Sequence, residues 1–246
     1  MALTNNTILI TGGSSGIGLE MARQFIASKN RVIICSRSLE KLHTAKKLLP
    51  ELIIYQCDIS NPEALQHMAD WLVTGHSDLN ILINNAAVVH RTNFAEETNL
   101  HEKFATEIAT NLLAPASLAH MLYPVLLKHP NAKIINITTG LVYTPRADYL
   151  FYNATKAALH SFSQVLRHQL RNEPVKIIEV LFPVVDTPWH KGNTPKMAIS
   201  PQRAVEEMIS KLEKNPDEIR IGAVKLLYFL SKIAPKFAFK KINSLS

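Results

Sequence analysis

The sequence predicts an α/β fold built on a doubly wound parallel sheet, in a single domain with a small lid and a basic amphipathic C-terminal tail. Three observations carry this. Short, continuously apolar runs alternate with amphipathic stretches through most of the chain. A glycine-rich turn directly follows the first run. No internal boundary leaves enough residues for a second core. The length of 246 residues suits one such domain, since undivided α/β folds reach roughly 250 residues. With 47% hydrophobic and 19% charged residues, the chain can bury a core and is not a disordered one.

The elements can be justified in order. TILIT (7–11) is β-branched and apolar on successive residues, as a strand covered on both faces must be. An amphipathic stretch near 17–28 leads to RVIIC (31–35), and another near 38–48 leads to LIIYQ (52–56). The same alternation gives a helix near 62–74, NILIN (80–84), a long helical stretch over 101–128, and KIINI (133–137). A helix over 153–171 and the run KIIEVLF (176–182) complete it. Right-handed crossovers then place helices on both faces of the sheet. The segment VVDTPWHKGNTPKMAISP (184–201), with three prolines, reads as a loop or lid inside the domain. The expected division is a domain over 1–222, including a lid at 186–201, and an apolar, basic extension over 223–246.

Composition excludes several classes. The N-terminus has no basic region before its short apolar run, so no signal peptide is expected. No apolar stretch reaches the ~18 residues of a membrane span. Cys35 and Cys57 sit beside strand-like runs and read as buried small hydrophobes of a reducing compartment, here the cytoplasm. The ten histidines form no HExxH or Cys/His cluster, so no metal site is expected. Most of the net charge of +7 resides in the tail: residues 220–246 hold Arg220, Lys225, Lys232, Lys236, Lys240 and Lys241 and no acidic residue. The rest is close to neutral, and no nucleic-acid partner is expected.

TGGSSGIG (11–18) joins the first strand to a helix. Gly12, Gly16 and Gly18 permit a tight turn, close approach of the backbone to a pyrophosphate, and packing of the helix on the sheet. Ser14, Ser15 and Ile17 complete the loop, and the helix N-terminus aims N–H groups at the anion. After the second strand, an acidic residue would bond the 2′-hydroxyl of NAD. Ser36 and Arg37 stand there instead, a hydroxyl and a guanidinium suited to a 2′-phosphate. NADP(H) is therefore the preferred cofactor, with NAD(H) the secondary one. Asp58, after the third strand, reads equally as an adenine ligand and as the N-cap of the next helix.

TGGSSGIG, NNAA (84–87), Asn111, NITTG (136–140) with YNATK (152–156), and FPVVDT (182–187) stand in the order and spacing of the short-chain dehydrogenase/reductase family, which the chain resembles over residues 5–222. The likeness is to its classical type, whose sheet is of the Rossmann kind. Stretches such as ATKAALHSFSQVLRHQLR are further similar to the oxidoreductases encoded with lipoteichoic-acid D-alanylation genes in some bacteria. The resemblance implies that Ile59, Asn85, Ala86, Ala87, Pro183, Val185 and Thr187 also line the cofactor. It implies hydride transfer between nicotinamide and a carbonyl or secondary alcohol, and dimers or tetramers formed through helices 101–128 and 153–171.

The catalytic set follows from what the reaction requires. Tyrosine is a poor base at neutral pH, and Lys156, one helical turn beyond Tyr152, would stabilise its phenolate. By the resemblance, Lys156 also holds the nicotinamide ribose, and Asn111 anchors a proton relay to it. Thr139 takes the position of the family's serine. Its hydroxyl has the same donor and acceptor inventory, with a methyl that restricts χ1. Ala87 replaces the family's usual glycine, as does Val184 after Pro183. These departures keep a second reading open, an NADP(H)-binding sensor or scaffold with vestigial catalysis. In the tail, Leu226, Leu227, Phe229, Leu230 and Ile233 form an apolar face bordered by lysines. Such a face packs on protein or lies in an anionic membrane interface, and packing is the commoner use.

Overall fold

The computed structural model describes residues 3–190, 192 and 194–244. The expected N-terminus, lid and tail extend onto residues 1–2, 191, 193 and 245–246, which lie outside the described residues. Seven parallel strands form one sheet: β1 (Thr7–Thr11), β2 (Arg31–Ser36), β3 (Ile53–Gln56), β4 (Leu79–Asn84), β5 (Lys133–Thr139), β6 (Lys176–Phe182) and β7 (Glu218–Arg220). Their spatial order is β3-β2-β1-β4-β5-β6-β7. The order reverses beside β1, so the carboxyl ends of β1 and β4 flank the crevice where such sheets bind ligands. Six strands coincide with the apolar runs to within two residues at either end. The seventh is three residues long and pairs only with β6, too short to register as a hydrophobic run.

Strand periodicity divides the core. Ile8, Ile10, Val32, Ile34, Ile81 and Ile83 face one side, where they meet Met21 and Phe25 of α1 (Gly16–Ala27) and Met208 of α7 (Pro201–Leu212). Leu9, Ile33, Leu82 and Ile134 face the other, against Met68 of α3 (Pro62–Gly75) and Leu118 and Leu122 of α5 (Ala114–Leu126). Each fully buried side chain of this size contributes roughly 1.5–3 kcal/mol. The run α4 (Leu100–Ile108), a π-turn over Ala109–Leu113, and α5 occupies the long stretch expected over 101–128. The stretch near 38–48 is α2 (Leu39–Leu48), and that expected over 153–171 is α6 (Leu150–Gln169). Beyond β7 the chain forms α8 (Val224–Ile233) and α9 (Pro235–Asn243). Among the described residues no helix is long and apolar enough to cross a membrane.

Candidate active site

A cavity of about 940 Å³ runs along the carboxyl ends of the strands. One end is the glycine loop. Gly12 and Gly16 adopt φ of +66° and +54°, a conformation side chains disfavour. A Cβ on Gly18 would stand 2.4 Å from the Gly12 carbonyl oxygen, so the loop and helix meet only because this position is bare. The Thr11 hydroxyl accepts from the Asn85 and Ala86 amides at 3.0 and 3.1 Å, and Asn85 Nδ2 donates to the Thr11 carbonyl at 2.9 Å. These bonds lock the NNAA turn to the glycine loop. Ser15, at the N-cap of α1, makes no side-chain capping bond, and the first turn has no acidic residue. Its N–H groups suit a phosphate.

Ser36, Arg37, Asp58, Ile59, Ala86, Ala87, Pro183, Val185 and Thr187 line the same cavity, as do Ser14 and Ile17. Gly18 shapes the loop from behind. Arg37 is exposed, and Ser38 and Lys41, which motif reasoning missed, stand beside it on the wall. Ser38 caps α2 by accepting from the Lys41 amide at 3.2 Å. The signal was legible: a serine directly before a helix whose first turn carries a lysine. Asp58 is not an N-cap. It accepts from the amide and hydroxyl of Ser60, and Asn61 caps α3 instead. The cradle and its donors fit a dinucleotide.

At the other end, Thr139, Tyr152 and Lys156 face one space. Thr139 ends β5 and caps a single 3₁₀ turn over Gly140–Val142, its Oγ1 accepting from the Leu141 amide at 3.3 Å. Thr138 points the opposite way and donates to buried Glu179. The Lys156 Nζ, fully buried, donates to the Ile137 carbonyl at 2.8 Å and lies 5.9 Å from the Tyr152 ring centre. Burial holds Lys156 down to about 8, against the pull of the Glu179 and Glu107 carboxylates. Tyr152 departs from the expectation that its lysine lowers its pKa: burial first, then Glu107 and Tyr149, push the phenol up. The phenol therefore keeps its proton at neutral pH.

Asn111 sits within the π-turn rather than a regular helix. Its Oδ1 accepts from the Val88 amide and its Nδ2 donates to the Val88 carbonyl, both at 2.8 Å. One turn earlier, Glu107 is wholly buried and accepts at Oε1 from the His90 amide and Nδ1–H, at 2.8 and 2.9 Å. Neither Glu107 nor His90 belongs to a motif that sequence reasoning singled out.

The other half of the cavity is bounded by the segment 184–201 and the C-terminal helices. Trp189, Met197, Leu226, Leu227 and Leu230 line this half, and Trp189 packs against Tyr149 with ring centres 6.0 Å apart. Val184, with its side chain on this wall, does not adopt a positive φ. Both cysteines are free and buried, which pushes their thiols up to about 12 for Cys35 and about 11 for Cys57. Sequence reasoning expected no metal site, yet His160, Glu179 and Glu218 bring ligand-type atoms within 4.8 Å of one another. Those atoms are already engaged. Glu179 accepts from Thr138 and from His160 Nδ1, and Glu218 accepts from Tyr143 and Arg220. The group reads as a hydrogen-bonded network.

The model of the short chain dehydrogenase family matches residues 6–198. The chain is 40% identical to the uncharacterized oxidoreductase DltE of Bacillus subtilis (strain 168), over 99% of both chains. A short chain dehydrogenase from Burkholderia cenocepacia J2315, solved in complex with NADP, superposes with a TM-score of 0.87 at 22% identity, covering 98% of this chain and 99% of its own. One from Burkholderia phymatum, solved in complex with NAD, gives 0.84 at 17% identity, covering 100% and 98%. At those identities the two structures speak for the fold.

Proposed function

Because the chain belongs to the short-chain dehydrogenase family and is an oxidoreductase of that kind, we propose that it is an NADP(H)-preferring carbonyl reductase with Tyr152 as the acid. The observation that carries this is the meeting of Thr139, Tyr152 and Lys156 in the cavity that begins at the glycine loop. That convergence also favours catalysis over a binding-only role.

Gly12 to Gly18 and the α1 N-terminus would hold the pyrophosphate, and Ser36, Arg37, Ser38 and Lys41 would take the 2′-phosphate. When bound, the nicotinamide supplies the hydride. The Leu141 amide occupies a lone pair of the Thr139 hydroxyl, whose own proton then points to the carbonyl oxygen. Tyr152, protonated at neutral pH, gives its proton to that oxygen. Lys156 supplies the nearby cation that stabilises the phenolate left behind. Asn111 fixes the backbone at Val88, on the wall of the same cavity. The apolar lining between lid and tail favours a hydrophobic ketone or aldehyde.

The experiment is a panel of hydrophobic carbonyls with NADPH, following its absorbance, for the wild type and Tyr152→Phe. Turnover confined to the wild type, with equal NADPH affinity in both, supports the reading; turnover retained by Tyr152→Phe removes it.

Two features of assembly belong to the same proposal. Leu113 and Val165 are more than half exposed on the helices expected to pair subunits, and we read them as part of a dimer or tetramer face. On α8 and α9, Leu226, Phe229, Ile233, Phe237 and Phe239 are each exposed by half or more. Lysines surround them, and Leu226 also lines the cavity mouth. This favours a peripheral contact with an anionic membrane from a cytoplasmic position. Sedimentation with phosphatidylglycerol vesicles, absent with phosphatidylcholine and reduced by Phe229→Ser with Phe237→Ser, is the expected result.

A further inference from the structure

Glu107 occupies the face of α4 turned towards the helix that carries the catalytic pair. Two contacts bracket it. Three residues before it, the Phe104 ring stacks on Phe151 of α6 with centres 4.7 Å apart. Four residues after it, Asn111 Nδ2 donates to Thr155 Oγ1 of α6 at 3.2 Å. Positions 104, 107 and 111 share one helical face, and their counterparts on α6 flank Tyr152. The carboxylate is therefore sealed between the two helices, wholly buried.

Its two oxygens differ. Oε1 takes both His90 bonds, while Oε2 is buried with no hydrogen-bond partner among the described residues. A buried carboxylate half without a donor is destabilising unless a charge answers it. The charged and titratable groups around it are few. His90 lies on the segment after β4 and is the half-exposed edge of the pair. On α6 stand Lys156, Tyr152 and, near its start, Tyr149, and from β6 Glu179 also acts on Lys156. Beyond His90, the Glu97 carboxyl is held down mainly by its Lys103 bond and only weakly by His90.

We propose that the His90–Glu107 pair is a positioning element of the active site: Glu107 supplies the buried negative charge that keeps the Lys156 ammonium charged behind Tyr152, and His90 holds that carboxylate in place. The proposal rests on the Tyr152–Lys156 reading above but concerns a charge that exists with or without turnover. Burial pushes the Glu107 carboxyl up, and the two His90 bonds oppose this. Burial disfavours the Lys156 cation, and Glu107 and Glu179 oppose that in turn. With Glu107 neutralised, Glu179, the larger opposing charge, is left alone to answer the burial of Lys156 among the described residues.

The test is lysine side-chain NMR on the full chain with isotope-labelled lysine, the Lys156 resonance being identified by its loss in Lys156→Arg. Glu107→Gln keeps the shape and the Oε1 acceptor while removing the charge. Its Lys156 midpoint falls by about one pH unit. Glu107→Asp, which keeps the charge, stays nearer the wild-type value. Phe104→Leu loosens the same helix contact without altering charge, and its midpoint is unchanged. Should Glu107→Gln fail to fold, His90→Asn leaves the backbone bond and lowers the midpoint by about half a unit. An unmoved midpoint in the folded Glu107→Gln chain, or in His90→Asn where that chain does not fold, overturns the proposal. So does an equal fall in Phe104→Leu. NADPH titration of the same samples separates the two readings: a wild type that binds no NADPH sinks the reductase, while the Lys156 titration still decides the charge pair.

Discussion

Asn111 Nδ2 donates to Thr155 Oγ1, which in turn donates to the Tyr152 carbonyl, both at 3.2 Å. The π-turn that carries Asn111 is thus tied to the first turns of α6, where the Tyr152 phenol sits. π-turns of this kind recur at functional sites, and here the irregular turn aims one amide at the Val88 backbone and at α6 together.

That linkage makes Asn111 costly to replace. Asn111→Leu keeps the branching but leaves the half-buried Val88 amide and carbonyl without their side-chain partner. Lost hydrogen bonds of this kind cost about 0.5–1.5 kcal/mol each, so a loss of roughly 1–3 kcal/mol is expected in urea unfolding. Asn111→Asp retains an acceptor for the Val88 amide and falls between.

Arg37 and Lys41 are expected to read the 2′-phosphate. A charge-assisted hydrogen bond contributes about 1.5–3 kcal/mol, or roughly 10- to 150-fold in affinity. Arg37→Ala therefore weakens NADPH binding by that order and leaves NADH within about twofold. Isothermal titration with both nucleotides checks this; an equal loss for both would deny Arg37 the role.

Thr139 supplies a hydroxyl already engaged by the Leu141 amide. Thr139→Ser keeps that hydroxyl and preserves kcat/KM within a few-fold. Thr139→Ala removes a hydrogen bond to the substrate oxygen, with a loss of about ten- to a hundredfold in kcat/KM. NADPH affinity, measured by fluorescence, stays as it is in both.

The pH dependence follows from Lys156, held down to about 8 by burial against Glu179 and Glu107. Below that value the ammonium is charged and supports the phenolate left by Tyr152. As pH rises through it, the cation is lost while Tyr152, pushed up by burial, keeps its proton. Carbonyl reduction therefore declines above a pH of about 8, and a pH profile of kcat/KM under saturating NADPH reveals the limb.

Much of this was legible in the chain because the signals were local. Continuous β-branched runs gave six strands, and the glycine loop and the Tyr152/Lys156 spacing placed both ends of the cavity. What escaped depended on tertiary contact. β7 has three residues, and the β6 residues it pairs with lie 39 positions earlier. Glu107 reads as one more charge on an amphipathic helix until Phe104 and Asn111 show that its face is buried against α6. Lys156 illustrates the limit of motif chemistry: its identity was clear, but burial, Glu107 and Glu179, which no pattern brings together, set its charge. On the tail the apolar stripe was plain, whereas the exposure of Phe229 and Ile233 needed the fold.

Binding of NADP(H) through the glycine loop and Arg37, with the nicotinamide presented to Tyr152, is open to a direct check: titration of the purified protein with NADPH and with NADH, following nucleotide fluorescence. Tight NADPH binding is expected, with NADH weaker by at least about tenfold. Binding of neither nucleotide, or of NADH alone, would contradict it.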